Sequence, residues 1–175
     1  GCGSCAYFCP QKAITEDPRS IGQIEKGIFK NKNIYTGRLN VGEPMAPPVI
    51  KKLKNISIPE NKESVVILDS PPGTSCPVIE TINDVDFVVL VTEPTPFGLN
   101  DLKLAVEVVR KLNLPMGIVV NKSGLGSTLI TDYCREENLK LLLEIPHADK
   151  IAVQYSKGEL ISELDEYKKI FENLY

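Results

Sequence analysis

The chain holds one histidine, His147, in 175 residues, and no acid–nucleophile set surrounds it that would make it a general base. It also lacks an excess of positive charge. Twenty Lys and Arg stand against 23 Asp and Glu, a net charge of −3, so there is no basic footprint for a nucleic-acid partner. No apolar run approaches the roughly 20 residues that span a bilayer. The longest, such as Phe87–Val91, have the length of a strand. No basic segment followed by an apolar one marks a secretory signal, and repeats, low-complexity stretches and charge blocks are absent. Nor is there a Gly-Lys-Thr or Gly-Lys-Ser phosphate loop, since Gly124-Leu-Gly-Ser-Thr128 lacks the lysine.

What is present begins with 42% apolar residues, enough for a core, in a length that suits one domain and a small appendage. Three of the five cysteines fall within residues 2–10, Cys-Gly-Ser-Cys-Ala-Tyr-Phe-Cys-Pro. Cysteines this close would form strained disulfides with one another. Their spacing instead matches the last three cysteines and the proline of the bacterial [4Fe–4S] motif C-x₂-C-x₂-C-x₃-C-P. Cys2, Cys5 and Cys9 are thus candidate cluster ligands, which implies a reducing, cytoplasmic setting. The first cysteine of that motif would fall two residues before Gly1, so the expectation is a truncated form of a longer parent.

Composition then divides the chain. Residues 1–25 are turn-rich. Gly27–Lys30 and Ile34–Leu39 read as short strands around a turn at 31–33, and Pro47-Pro48 is placed to open a helix through Leu53. From Ser64 strands and helices alternate. Val65–Leu68, Phe87–Val91, Gly117–Val120 and Leu139–Leu143 are continuous apolar runs, as expected of parallel strands covered on both faces. Helices are predicted over 98–113, 127–137, 150–156 and 163–174. In the last, Leu164, Tyr167, Ile170, Phe171 and Leu174 are expected to pack inward. The fold class is therefore α/β, a doubly wound, mainly parallel sheet, which binds ligands at the carboxyl ends of its strands.

Two strand ends carry candidate chemistry. Val65–Leu68 runs into Asp69-Ser-Pro-Pro-Gly73-Thr. Position alone leaves Asp69 as either a Mg²⁺-organising carboxylate beside phosphates or the first residue of a turn. Asn121, in Val119-Val-Asn-Lys122, has both a donor and an acceptor with which to read a base edge, though Asn and Lys also commonly end strands. Pro146 either lines a purine pocket or breaks the chain. Cys76 and Cys134 are expected to be packed, structural thiols, and Glu93 a cap or dimer contact.

Order and spacing join these pieces. Asp69-Ser-Pro-Pro-Gly-Thr-Ser-Cys-Pro77, Thr92-Glu-Pro-Thr-Pro-Phe-Gly98, Asn121-Lys122 and Glu144-Ile-Pro-His147 resemble the MinD/ParA (deviant Walker A) ATPases. With the cysteines ahead of them, they resemble the members that carry an inserted ferredoxin domain. The resemblance covers essentially the whole chain. It implies residues 1–25 as the C-terminal part of the ferredoxin-like insert and 26–175 as the C-terminal part of the ATPase domain, a P-loop fold without its Walker A unit. It implies that Asp69 organises Mg²⁺, that the Gly73 amide faces the γ-phosphate, that Asn121 contacts adenine and that Pro146 borders the purine pocket. It further implies ATP, magnesium and [4Fe–4S] clusters in the complete parent, nucleotide-dependent homodimers, and a client iron–sulfur or redox protein, with neither nucleic acid nor membrane as partner. The alternatives are a ferredoxin-type electron-transfer adaptor on an ATPase-like scaffold, or an inactive fragment.

Overall fold

The computed structural model describes residues 3–59, 63–124, 127–161 and 165–172. They divide into two compact units, Gly1–Leu68 and Asp69–Tyr175.

The first unit has a one-turn helix α1 (Ser4–Tyr7), an antiparallel hairpin of β1 (Gly22–Phe29) and β2 (Lys32–Leu39), and helix α2 (Pro47–Ser57). The strands pair from Gly22↔Leu39 to Phe29↔Lys32. They run further than their apolar pattern predicts and close through the two-residue turn Lys30-Asn31. Both turn residues have positive φ, 46° and 62°, the backbone of a type I′ turn, whose twist matches that of the strands. The two prolines open α2 as expected, and Val49 and Leu53 pack over Gly37, where an added Cβ would come within 3.0 Å of Val49 Cγ1.

Val65–Leu68 is not a strand. Val65 and Ile67 are 78% and 81% exposed. A strand needs a neighbour to satisfy its backbone N–H and C=O groups, and no described residue pairs with this run. The β-branched composition that marks it in the sequence cannot supply that neighbour.

The second unit is a three-stranded parallel sheet in the order β3-β4-β5, namely Val88–Thr92, Met116–Ser123 and Leu141–Pro146. Helix α3 (Cys76–Ile82) precedes it, α4 (Pro96–Lys111) joins β3 to β4, α5 (Leu129–Glu136) joins β4 to β5, and α6 (Asp149–Ser156) and α7 (Asp165–Glu172) follow. This is the α/β class read from the sequence. Helix α4 presents Leu102, Val106 and Val109 at helical spacing. Leu102 and Val106 meet Ile118 and Val120 of β4 and Ile130, Tyr133 and Cys134 of α5 in one cluster, while Val109 packs with Ile82 and Val88 in another.

Burial of Gly117, Ile118, Val119 and Val120 in succession shows β4 covered on both faces. At Gly117 an added Cβ would meet the Leu142 side chain at 2.5 Å, so only glycine fits under β5's leucine. The other strands depart from expectation. In β3, Val88 and Thr92 are buried but Val89 and Val91 are 48% and 65% exposed, and Leu141 of β5 is 36% exposed. Both lie at the sides of the sheet, and an apolar run does not record whether its strand is central or lateral. In α7, Tyr167 is 3% exposed and packs as predicted, and Ile170 and Phe171 are half-buried; Leu164 and Leu174 lie outside the described residues. No described helix is long and apolar enough to cross a membrane.

Ile118 is fully buried at the centre of the sheet. Ile118→Ala is expected to destabilise the second unit by about 2–5 kcal/mol, read as a lower midpoint in urea unfolding followed by circular dichroism.

Candidate functional site

Three strands end side by side at one edge of the sheet. β3 delivers Thr92 and Glu93, β4 delivers Asn121–Ser123, and β5 delivers Pro146 and His147. The ladder persists to the very edge. Ser123 pairs with Pro146, and the His147 N–H donates to the Ser123 carbonyl at 2.9 Å. Between Val120 and Ser123 the register shifts, and Lys122 there adopts φ = 55°. A non-glycine residue in that region is uncommon, and such irregularities re-aim side chains at the rims of sheets. Here the Lys122 Nζ lies 2.7 Å from Glu93 Oε1 and ties the ends of β4 and β3 together. Both side chains are about half exposed, so the pair adds little stability; its effect is positional. The Asn121 Oδ1 accepts the Lys122 N–H at 3.0 Å, and the NH₂ of that side chain remains a donor.

The segment after β3 is also tied down. Thr95 caps α4 by accepting the Gly98 N–H at 2.9 Å, the Thr92 hydroxyl donates to the Gly98 carbonyl at 2.9 Å, and the Thr95 N–H donates to the Glu93 carbonyl at 2.8 Å. A Cβ on Gly98 would collide with the Glu93 carbonyl, so the close approach requires glycine.

Of the residues singled out in the sequence, Asn121 and Pro146 are brought to adjacent strand ends. Asp69 and Gly73 lie in the irregular segment before α3. Asp69 was expected at the tip of a buried strand. It is instead exposed, because Val65–Leu68 forms no strand, and it makes no side-chain hydrogen bond or ion pair among the described residues. An uncommitted carboxylate is the right donor for Mg²⁺, a hard cation that takes oxygen ligands. Gly73 has φ = +93°, which fits the permissive glycine read after Pro71-Pro72. The Glu93–Lys122 pair was missed as a pair. Its signal was opposite charges just past the ends of consecutive strands in a β–α–β unit.

Cys5 sits exposed in α1, Cys9 is half-buried just beyond it, and Cys2 lies outside the described residues. The backbone N–H of Ala13, and to a lesser degree those of Gln11, Ile14 and Lys12, hold the Cys9 thiol below its ordinary pKa, against a smaller opposing effect of burial. N–H groups gathered on a sulfur favour the thiolate, the form that ligates iron. Among the described residues no three His, Cys, Asp or Glu side chains form a metal-holding group. Cys76 is exposed at the start of α3 rather than packed, whereas Cys134 is 3% exposed and burial pushes its thiol up. Under iodoacetamide at neutral pH, Cys9 is expected to be alkylated well before Cys134. Mass-spectrometric peptide mapping of a time course checks the order.

Set against known proteins, the chain matches no family model. It is 34% identical over 174 residues to an uncharacterised protein of Methanocaldococcus jannaschii, covering 99% of this chain and 60% of that one. It is 32% identical over 155 residues to the iron–sulfur cluster carrier protein of Rickettsia bellii, covering 83% of this chain and 46% of the carrier. The chain thus spans about half the length of these relatives. Among solved structures, the cell division ATPase MinD of Pyrococcus furiosus superposes with a TM-score of 0.56 at 23% identity, over 74% of this chain and 56% of MinD. The parallel sheet and its connecting helices are those of the MinD-type P-loop ATPase fold.

Proposed function

We propose that this chain forms part of a MgATP-dependent ATPase of MinD type that works with [4Fe–4S] clusters. The observation that carries the reading is the convergence of Glu93, Asn121-Lys122 and Pro146-His147 at the carboxyl ends of three parallel strands, where such sheets take their ligands. In this reading Asn121 donates from its amide to the adenine ring and Pro146 borders the base. Asp69 holds Mg²⁺, which would neutralise phosphate charge, and Gly73 turns its amide toward the γ-phosphate. The ion pair of Glu93 with Lys122 keeps the two strand ends in register while the base is bound.

The clusters are cargo or redox centres, with Cys2 and Cys5 as ligands of one and Cys9 of the other, as in two-cluster ferredoxins. The amide donors around the Cys9 sulfur support that role, and so does the kinship with an iron–sulfur cluster carrier protein. ATP bound between two copies of the complete protein would order the segment after Asp69, and hydrolysis would release it. The receiving partner is a client iron–sulfur or redox protein. These 175 residues contain no Gly-Lys-Thr or Gly-Lys-Ser loop. The chain by itself therefore supplies the base and metal side of the site without a phosphate cradle.

Two measurements follow. Millimolar ATP is expected to shift the NMR amide signals of Asn121, Lys122 and His147, and Asn121→Ala to abolish those shifts with the spectrum otherwise intact; shifts confined to other residues would sink the placement of the site. The isolated chain is expected to release no phosphate from ATP and to keep less than one stoichiometric [4Fe–4S] cluster after anaerobic reconstitution. Mg²⁺-dependent turnover, or full iron and sulfide content, would show that it needs no further residues.

A further inference from the structure

The turn end of the β1–β2 hairpin is uncovered. Helix α2 lies over the opposite end, where Pro48, Val49 and Lys52 line a groove with Ile21, Gly22 and Ile24. Every residue from Glu25 to Ile34 is exposed. A two-stranded ribbon is marginal on its own in water, yet this one presents Ile28, Phe29 and Ile34 at 74%, 50% and 49% exposure. Cross-strand partners share a face, so the Phe29–Lys32 and Gly27–Ile34 pairs lie together. Gly27 adds no side chain, and a Cβ there would meet nothing within 4 Å. A shallow apolar step therefore lies between Phe29 and Ile34.

Charge frames that step. Residues 26–38 contain Lys26, Lys30, Lys32 and Arg38 and no carboxylate; Glu25, just before them and on the Gly27 face, lies 3.9 Å from Arg38. The Lys30 ammonium lies 5.3 Å from the centroid of the Phe29 ring, so cation and ring adjoin at the step, whereas Lys26, 5.5 Å from the Tyr35 ring, belongs to the other face of the ribbon. This sign opposes the rest of the molecule. The first unit has ten Lys and Arg against six Asp and Glu, the second ten against seventeen. We infer that the hairpin end is a docking surface for an acidic protein. One apolar side chain of the partner fills the step over Gly27, and neighbouring carboxylates meet Lys30 and Lys32. A polar rim around an apolar anchor is the anatomy of protein interfaces. The inference stands on the hairpin alone and does not depend on the ATPase reading.

The test uses the full chain and a fluorescein-labelled peptide of alternating glutamate and leucine, followed by anisotropy. Binding is expected to weaken at least about tenfold between about 50 and 500 mM salt, as screening shortens the reach of the charges. Lys30→Gln/Lys32→Gln is expected to lower affinity at low salt by about tenfold, and Ile34→Ser to lower it at every salt concentration, with circular dichroism unchanged. A matching peptide with glutamine for glutamate should not bind. The inference is overturned if the acidic peptide fails to bind or binds the double variant equally well. Tighter binding of a single-stranded oligonucleotide or of phosphatidylglycerol vesicles than of the peptide overturns it too.

Discussion

Burial of β4 on both faces is the constraint on which the second unit turns. Gly117 through Val120 are buried in succession, and hydrogen bonds to β3 on one side and β5 on the other leave this strand no freedom of register. A one-residue slip would carry Ile118 and Val120 out of their cluster with α4 and α5. Because the strand is fixed there, its last three residues are fixed too. Asn121, Lys122 and Ser123 emerge where the core ends, and the shift in register with the positive φ of Lys122 decides which way each points. Core packing and site geometry are in this sense one interaction, read at two ends of the same strand.

The sequence disclosed the parts governed by period and by local backbone chemistry. The α4 stripe of Leu102, Val106 and Val109 follows from helical spacing, the opening of α2 from its prolines, and the central strand from a continuous apolar run. Properties that depend on neighbours were not legible. Val65–Leu68 has strand composition but no pairing partner among the described residues, and Val89 and Val91 lie on a face of β3 that is left exposed. Cys76 has a composition typical of buried positions and is exposed. For the site, Asn121 and Pro146 could be placed from strand ends alone. The Glu93–Lys122 bridge joins two strands that a helix separates in sequence, so its one signal, opposite charges near consecutive strand ends, is read only once the β–α–β unit is assembled.

The two units differ in what holds them. The second is organised around buried aliphatics from five elements. The first relies on backbone pairing and on short-range contacts, such as the Arg19–Glu43 ion pair at 2.8 Å and the Asn40 side-chain amide donating to the Ser20 carbonyl at 2.9 Å. A unit with few buried apolar contacts opens locally at low cost, and the cysteine segment belongs to that unit.

The knot of hydrogen bonds among Thr92, Glu93, Thr95 and Gly98 has a consequence for selectivity over time. A loop already frozen before any molecule arrives surrenders no further conformational entropy on contact. It also cannot reshape itself around a poorly fitting one. In the proposed site that edge of the sheet would work as a fixed gauge against which arriving molecules are sized, and adaptation during binding would come from the segment around Gly73.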